Sequence, residues 1–212
     1  MAPNPRDPAL ADRLLLHEAR AQQTTGRELR DLGDGWLFHD PADPEPFWNR
    51  LIAPRWPDAP SGFDRRLDEV ITLFSTLDRL PHVRPAPLDS RPPDLPARLR
   101  AAGFDVIGSD RRMLLVDPGP CRRIGERWLA HVPGRISVDG QPDRTHPARS
   151  AWASDAALVL GEAFGVDPFR RGALEADVLA CVARTGCSVL LIRDDDEPVA
   201  MARRATVGKG SY

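Results

Sequence analysis

Apolar positions recur at steps of three and four over Phe63–Leu80, where Phe63, Leu67, Val70, Ile71, Phe74 and Leu77 form one stripe. That period predicts an amphipathic helix. Ser61 with Asp64 resembles a capping pair at its start, and Pro81 marks its end. An earlier helix is predicted from Asp7 to about Gln23, with Asp7 as cap, Pro8 in the first helical position, Leu10, Leu14 and Ala21 on its apolar face, and Gly26 as its stop. Residues 27–40 read as a strand pair, because β-prone runs flank Gly33-Asp34-Gly35. From Pro41 to Pro60 there are six prolines, so no regular element of any length is expected; Phe47, Trp48 and Trp56 would pin this loop onto a core. A short helix over Asp94–Ala102, with Leu95 and Leu99 on one face and Gly103 as a left-handed terminator, leads into predicted strands at Phe104–Ile107 and Met113–Val116.

Residues 117–150 are weakly patterned and carry Pro118, Pro120, Pro133, Pro142 and Pro147, which suggests a domain boundary. The last third is orderly. Ser154 is placed as the cap of a helix carrying Ala157, Leu160 and Phe164 and closed by Gly165. Pro168 and Phe169 fill the connection to a helix from about Ala173, with Leu174, Val178, Leu179 and Val182. Cys187–Arg193 reads as a buried strand, Asp194–Glu197 as a turn and Val199–Val207 as its hairpin partner. A further strand begins near Tyr212.

Composition narrows the function classes. The chain has 212 residues with 29 basic and 31 acidic side chains, a formal charge of −2, which argues against a general nucleic-acid binder. No apolar run approaches the roughly 20 residues that span a bilayer, and the N-terminus shows no secretory signal, so a cytoplasmic protein with no membrane partner is expected. Lys209 is the only lysine, so 28 of the 29 basic residues are arginine. Arginine codons are GC-rich, which suggests a high-GC bacterial source. Cys121, Cys181 and Cys187 cannot build a disulfide framework and are read as reduced thiols. Asp194-Asp-Asp-Glu197 could offer oxygen ligands but lacks a calcium-loop spacing, and Cys181 and Cys187 have no neighbouring histidine, so no metal site is expected. His17, His39, His82, His131 and His146 are scattered, and neither a nucleophile elbow nor a Walker loop occurs. The pairs Arg111-Arg112, Arg122-Arg123, Arg170-Arg171 and Arg203-Arg204 could favour a phosphorylated ligand, but an arginine-biased surface explains them as well.

The order helix, helix, strand, acidic turn, strand resembles the opening layout of the GNAT acetyltransferase family. Val166-Asp-Pro-Phe-Arg-Arg171, Ala173–Arg184, Ser188-Val-Leu-Leu-Ile-Arg193 and Glu197-Pro-Val-Ala200 look like that family's first two helices and the hairpin after them. Residues 94–116, a helix ending Arg100-Ala-Ala-Gly103-Phe104 and then a strand pair, are similar to its closing piece. A closing piece followed by an opening piece implies a tandem. The expected organisation is an N-terminal GNAT-like domain over residues 1–120, degenerate or complete, a linker over 121–150, and the opening half of a second domain over 151–212. Pairing of 94–116 with 151–212 in one permuted sheet is the alternative. The fold class expected is α+β, with mixed or antiparallel GNAT-like sheet in two pieces, flanked by helices.

The resemblance implies transfer of acetyl from acetyl-CoA to a small-molecule or peptide amine, with direct attack by the deprotonated amine. In the family the cofactor's diphosphate is held by a Gln/Arg-x-x-Gly-x-Gly/Ala turn between the fourth strand and a helix. Such a turn presents backbone N–H groups at a helix N-terminus, and glycine permits close approach. Here Arg30-Asp-Leu-Gly33-Asp-Gly35 spells the pattern, but Trp36-Leu-Phe-His follows as a strand, so it reads as a hairpin turn. Arg122-Arg-Ile-Gly125-Glu-Arg127 puts arginine where a small residue is needed, and Gly208-Lys-Gly210 reads as a simple turn. The second domain's turn is expected after Tyr212. No residue is therefore assigned to the cofactor or to acid–base chemistry, and the chain by itself is expected to be an inactive, incomplete copy that does not hold acetyl-CoA tightly. A non-catalytic packing or regulatory module is the alternative function. Phe164, Asp167 and Phe169, in the connection that borders the family's acceptor pocket, are the candidate substrate residues; core packing of the two phenylalanines is the competing reading. A Val199–Val207 strand with a bare edge would favour self-association.

Overall fold

A computed structural model describes residues 8–23, 26–86, 90–108, 136–140, 148–207 and 210–211. The chain divides into two compact units, Met1–Val116 and Asp117–Tyr212.

Unit 1 is built on a four-stranded sheet in the order β1 (Glu28–Asp31), β2 (Trp36–His39), β3 (Arg50–Ile52), β4 (Val83–Arg84). The first three strands are antiparallel, and β3–β4 is parallel. A parallel pair needs a crossover, which α2 (Pro60–Thr76) supplies. Side chains alternate across the sheet as the pleat requires. Leu37 and Leu51 point to one face and join Trp56, Phe63, Leu67, Val70 and Phe74, with Leu95 and Leu99 of α3 (Leu95–Ala101). Phe38 and Ile52 point to the other face and meet Leu15 and Ala19 of α1 (Pro8–Gln22).

The predicted stripe of α2 is buried at Phe63, Leu67, Val70 and Phe74, whereas Ile71 is exposed. Its start differs from expectation. Ser61 caps nothing; the N-cap is Ala59 without a side-chain bond, and Pro60 sets the first helical φ. Its end comes before Pro81, because Asp78 takes a left-handed φ of 54°. Arg79 N–H then reaches the Phe74 carbonyl at 2.9 Å and Asp78 N–H that of Ser75 at 3.0 Å, closing a Schellman motif. Gly103 ends α3 in the same way, as its residue type predicts. On α1 the buried residues are Leu15, Glu18, Ala19 and, as expected, Ala21, while Leu14 is only half-buried.

Two further corrections concern strands. The proline-rich stretch contains β3, a central strand of the sheet, because Arg50-Leu-Ile sits in a gap between prolines just long enough to pair on both sides. Phe104–Ile107 forms no strand: it has apolar side chains but no partner among the described residues, and Val106 and Ile107 are 64% and 75% exposed. The predicted strand Met113–Val116, the Asp7 cap, Arg122–Arg127, Cys121 and Gly208-Lys209 lie outside the described residues.

Unit 2 carries a second sheet in the order β5 (Ile136–Gly140), β6 (Cys187–Asp194), β7 (Glu197–Val207), β8 (Gly210–Ser211), antiparallel throughout. Strand β5 lies inside the stretch read as linker; Ile136 and Val138 alternate with Ser137 and Asp139, a strand pattern too short to stand out among prolines. Helices α4 (Arg149–Phe164) and α5 (Arg171–Ala183) pack against each other, α4 also meeting β7 and α5 meeting β6. Ser154 lies inside α4, which starts more than a turn earlier than expected, and Gly165 closes it. Strand β6 is half-buried: Cys187, Val189 and Leu191 face inward, while Leu190 is exposed. The β6–β7 turn places Asp195 and Asp196 at φ of 48° and 72°, a conformation Asp tolerates through local hydrogen bonding. Strand β8 pairs with Thr206 and Val207 of β7. The architecture is thus α+β, a mixed sheet and an antiparallel sheet, each flanked by helices.

Candidate functional site

Two places in unit 1 concentrate polar groups. The first is a seam beneath α1. Arg50, on the same sheet face as Phe38 and Ile52, is 1% exposed. Its guanidinium lies over the Phe47 and Phe38 rings and donates to Gln22 Oε1 at 2.9 Å and to the Phe47 carbonyl. Glu18 Oε1 accepts from Arg84 Nη1 at 2.6 Å and lies 3.5 Å from Arg50 Nη2. One helix carboxylate therefore bridges arginines on two adjacent strands, β3 and β4.

The seam continues into loop 40–49. Asn49 Oδ1 accepts from His39 Nδ1 at 2.8 Å and from Asp40 N–H at 3.0 Å, and its amide donates to the Asp43 and Glu45 carbonyls. Arg27 Nε donates to Asp40 Oδ2 at 2.7 Å while its guanidinium stacks 3.7 Å above Trp48. Burial pushes the Asp40 carboxyl upward, but the Arg27 bond and the amides of Ala42 and Asp43 outweigh it, so the net shift is downward. Asp40 is thus ionised at neutral pH.

His82 donates Nδ1–H to the Pro46 carbonyl at 2.7 Å. Burial lowers its pKa below the ordinary 6.5; the Pro46 bond opposes this, and Arg50 and Arg84 reinforce it. The unfolded chain then binds more protons than the fold below about pH 6.5, so stability falls as pH drops from there towards the folded value. Thermal midpoints at pH 7 and 5.5 check this. The midpoint should fall less in His82→Asn, whose amide can still donate to Pro46, than in the unaltered chain; equal falls would contradict it. With its carboxylate held between guanidiniums and its histidine tied to a carbonyl, the seam serves to join α1, β3, β4 and loop 40–49, not to move protons.

The second place is the β3–α2 crossover, residues 53–62. Backbone N–H groups along its strand side are consumed: Ala53 N donates to Arg84 O at 3.0 Å, Arg55 N to Asp34 O at 2.7 Å and Trp56 N to Arg91 O at 3.1 Å. Pro54, Pro57 and Pro60 contribute no N–H. Gly62 is crowded, because an added Cβ would come within 3.0 Å of Pro57 Cβ. Arg98 Nη1 donates to the Asp58 carbonyl, and Arg66 grips Asp34 through two bonds of 2.6 and 2.8 Å.

The motif match at Arg30–Gly35 is the β1–β2 hairpin turn. Gly33 sits at φ 84°, and Gly35 lies under β3, where a Cβ would come 3.4 Å from the Ile52 carbonyl. In unit 2, Phe164 and Phe169 are 77% and 82% exposed, so neither packs in a core. Asp167 Oδ1 accepts from Phe169 N–H at 3.2 Å and caps the short turn Pro168–Arg170. Phe164 thus ends α4, and Asp167 and Phe169 stand in the exposed connection that follows it. Cys181 and Cys187 are buried, free thiols, and burial pushes Cys181 up to about 11. Among the described residues no group of three or more His, Cys, Asp or Glu is arranged to hold a metal ion, and no helix is long and apolar enough to cross a membrane.

Sequence reading missed the seam. Its members run from Glu18 to Arg84, and each looks like an ordinary surface charge. The one signal was Asn49-Arg50 lodged between aromatics in a proline-rich run.

These two helix-flanked sheets, one with a parallel crossover, have a GNAT-like fold. The structure is similar to that of a GCN5-related N-acetyltransferase from Kribbella flavida, with a TM-score of 0.54 at 17% identity, over 94% of this chain and 68% of that one. No family model and no curated protein matches the sequence.

Proposed function

We propose that this chain belongs to a tandem GNAT-type N-acetyltransferase in which unit 1 is a non-catalytic copy and unit 2 supplies the amine-acceptor side. The overall reaction is transfer of acetyl from acetyl-CoA to a small-molecule or peptide amine. The likeness to an N-acetyltransferase extends over 94% of the chain, and so into both units. A cytoplasmic location goes with this reading and with reduced cysteines.

The observation that carries it is the state of the β3–α2 crossover. In unit 1 this is the place where a sheet strand runs through a turn into a long helix, the local layout of the family's diphosphate turn, although here it follows the third strand of the sheet and not the fourth. A diphosphate needs convergent, unoccupied N–H groups at a helix N-terminus. Here Pro54, Pro57 and Pro60 carry no N–H, and carbonyls of the chain take the N–H groups of Ala53, Arg55, Trp56 and Phe63. In unit 2, both helices precede the β6–β7 hairpin, and no helix follows β7 among the described residues. Phe164, Asp167 and Phe169 would border the amine, the rings offering apolar contact and the carboxylate attracting a cation.

Calorimetric titration of the 212-residue chain with acetyl-CoA tests the reading. No heat of binding at micromolar concentrations is expected. Saturable one-to-one binding in that range would overturn it.

A further inference from the structure

Unit 2 buries two thiols that the proposed reaction does not use. Helix α5 ends at Ala183, two residues after Cys181, and β6 starts at Cys187. The turn between them doubles the chain back. Arg184 N–H donates to the Cys181 carbonyl at 3.1 Å, and Cys187 N–H donates to the Arg184 carbonyl at 3.2 Å. Gly186 takes a φ of 82°, which favours glycine, and its carbonyl accepts from Thr206 N–H of β7 at 2.8 Å. Cys187 faces inward with Val189 and Leu191, on the strand that meets α5. Its thiol and that of Cys181 share a hydrogen bond.

A thiol packed alone in an apolar core is inert. This pair has different surroundings. Burial pushes Cys181 up to about 11, so its thiol is protonated at neutral pH; the Arg203 guanidinium opposes that shift, while Cys187 and Asp177 add to it. Arg203 lies on β7, in register with Val189, and Asp177 holds it at 3.5 Å from one turn earlier on α5. A cation is therefore fixed beside the thiols. Cys187 is 8% exposed against 1% for Cys181, and it follows directly on the exposed Thr185 and Gly186. One thiol is thus nearer solvent, and the second is held against it. A disulfide needs its sulfurs about 2.05 Å apart. Thiols already in hydrogen-bond contact close that gap by a shift of side chains.

We propose that Cys181 and Cys187 are a redox pair, reduced at rest and closed into an intramolecular disulfide by a small organic disulfide such as oxidised glutathione. Cys187 gives its proton to solvent, and its sulfur attacks one sulfur of the oxidant. The oxidant's S–S bond breaks, and the small thiolate leaves and takes up a proton. Cys181 then gives up its proton, attacks Cys187 Sγ and displaces the second small thiolate, which is protonated in turn. Two protein thiols lose two electrons and two protons, and the oxidant becomes two thiols. The new bond pins the end of α5 to the start of β6. This inference stands on residues of unit 2 alone and does not depend on the acetyl-transfer reading.

The experiment uses the full chain with Cys121→Ser, which leaves these two thiols alone. The chain is equilibrated in glutathione buffers from reducing to oxidising, natively and in urea. After an acid quench the free thiols are alkylated and the peptides mapped by mass spectrometry. A Cys181–Cys187 cross-linked peptide should appear, saturate, and disappear again in excess reduced glutathione. Its half-oxidation point should lie about tenfold or more towards reducing buffer in the native chain relative to urea, because the fold holds the sulfurs together. With Cys181→Ser added, a glutathione adduct should accumulate at Cys187; with Cys187→Ser instead, Cys181 should stay unmodified. A pair that stays reduced across the series overturns the proposal. So does a stable glutathione adduct at Cys187 with Cys181 present, or a half-oxidation point no more reducing in the native chain than in urea. If Cys121→Ser speeds hydrogen exchange at Leu191, the natural chain is taken through the same buffers and the same peptides are read. Acetyl-CoA binding would sink the functional reading but leave the cross-link unchanged, so the two failures are distinguishable.

Discussion

Replacing Glu18 with alanine is expected to destabilise unit 1 by about 3–5 kcal/mol, the usual cost of removing one partner of a buried ion pair. Arg50 is 1% exposed, and the Glu18 carboxylate is the acid that faces it from α1. Removing that acid leaves two guanidiniums, Arg50 and Arg84, on neighbouring strands of a parallel pair only two residues long. Glu18→Gln should cost less, because its amide oxygen can still accept from Arg84. Removing both charges, with Glu18→Leu and Arg50→Met, should recover much of the loss, since a packed apolar pair can replace a buried ion pair. Native-state hydrogen exchange at Leu51 reads unit 1 by itself. A loss below about 1 kcal/mol for Glu18→Ala, the range of exposed pairs, would show that the seam is solvated.

Asn49→Ala should follow closely, at about 3 kcal/mol, near the upper end of ordinary single substitutions. One side chain satisfies four groups: His39 Nδ1–H, Asp40 N–H and the carbonyls of Asp43 and Glu45. The buried His39 ring and Asp40 N–H lose this acceptor, at about 1–3 kcal/mol for a buried group that loses its bond, while the Glu45 carbonyl keeps the Trp48 N–H. Asn49→Asp discriminates the mechanism. It keeps an acceptor for His39 and Asp40 but turns a carboxylate oxygen towards two carbonyls. It should therefore be at least as damaging as alanine at neutral pH, despite the matched shape. If Asn49→Asp were neutral, the loop would be held by something other than these bonds. Exchange at Leu51 again separates this unit from the other.

The elements legible in the sequence were those with a strong local signal. The α2 stripe, the Gly33–Gly35 hairpin, the Gly103 and Gly165 terminators and the β6–β7 hairpin all have residues whose backbone or burial preference acts within a turn or two. What escaped depends on partners far along the chain. Strand β3 is three residues among prolines, and only pairing with β2 and β4 makes it a strand. Strand β5 is similar, deriving its order from β6. The reverse error, a strand at Phe104–Ile107, arose from counting apolar side chains without a ladder partner. The helix starts at Pro60 and Arg149 use no side-chain cap, so the hydroxyls of Ser61 and Ser154 do not mark them.

The site followed the same rule. The seam joins residues as far apart as Glu18 and Arg84, and buried arginine is rare enough that sequence alone favours the surface for both. The exposed positions of Phe164 and Phe169 exclude only the competing reading, core packing of the two rings. By contrast, the motif at Arg30–Gly35 was separable from a cofactor turn on local grounds, because a strand follows it.

We propose that unit 1 has closed the turn before α2 to a diphosphate with proline and with carbonyl partners for its N–H groups. Amide chemical shifts of residues 53–62 during addition of millimolar acetyl-CoA to the intact chain test it most directly. The claim predicts that Ser61, Gly62 and Phe63 do not move. Saturable shifts confined to those three amides would show a working anion cradle at the start of α2 and would contradict it.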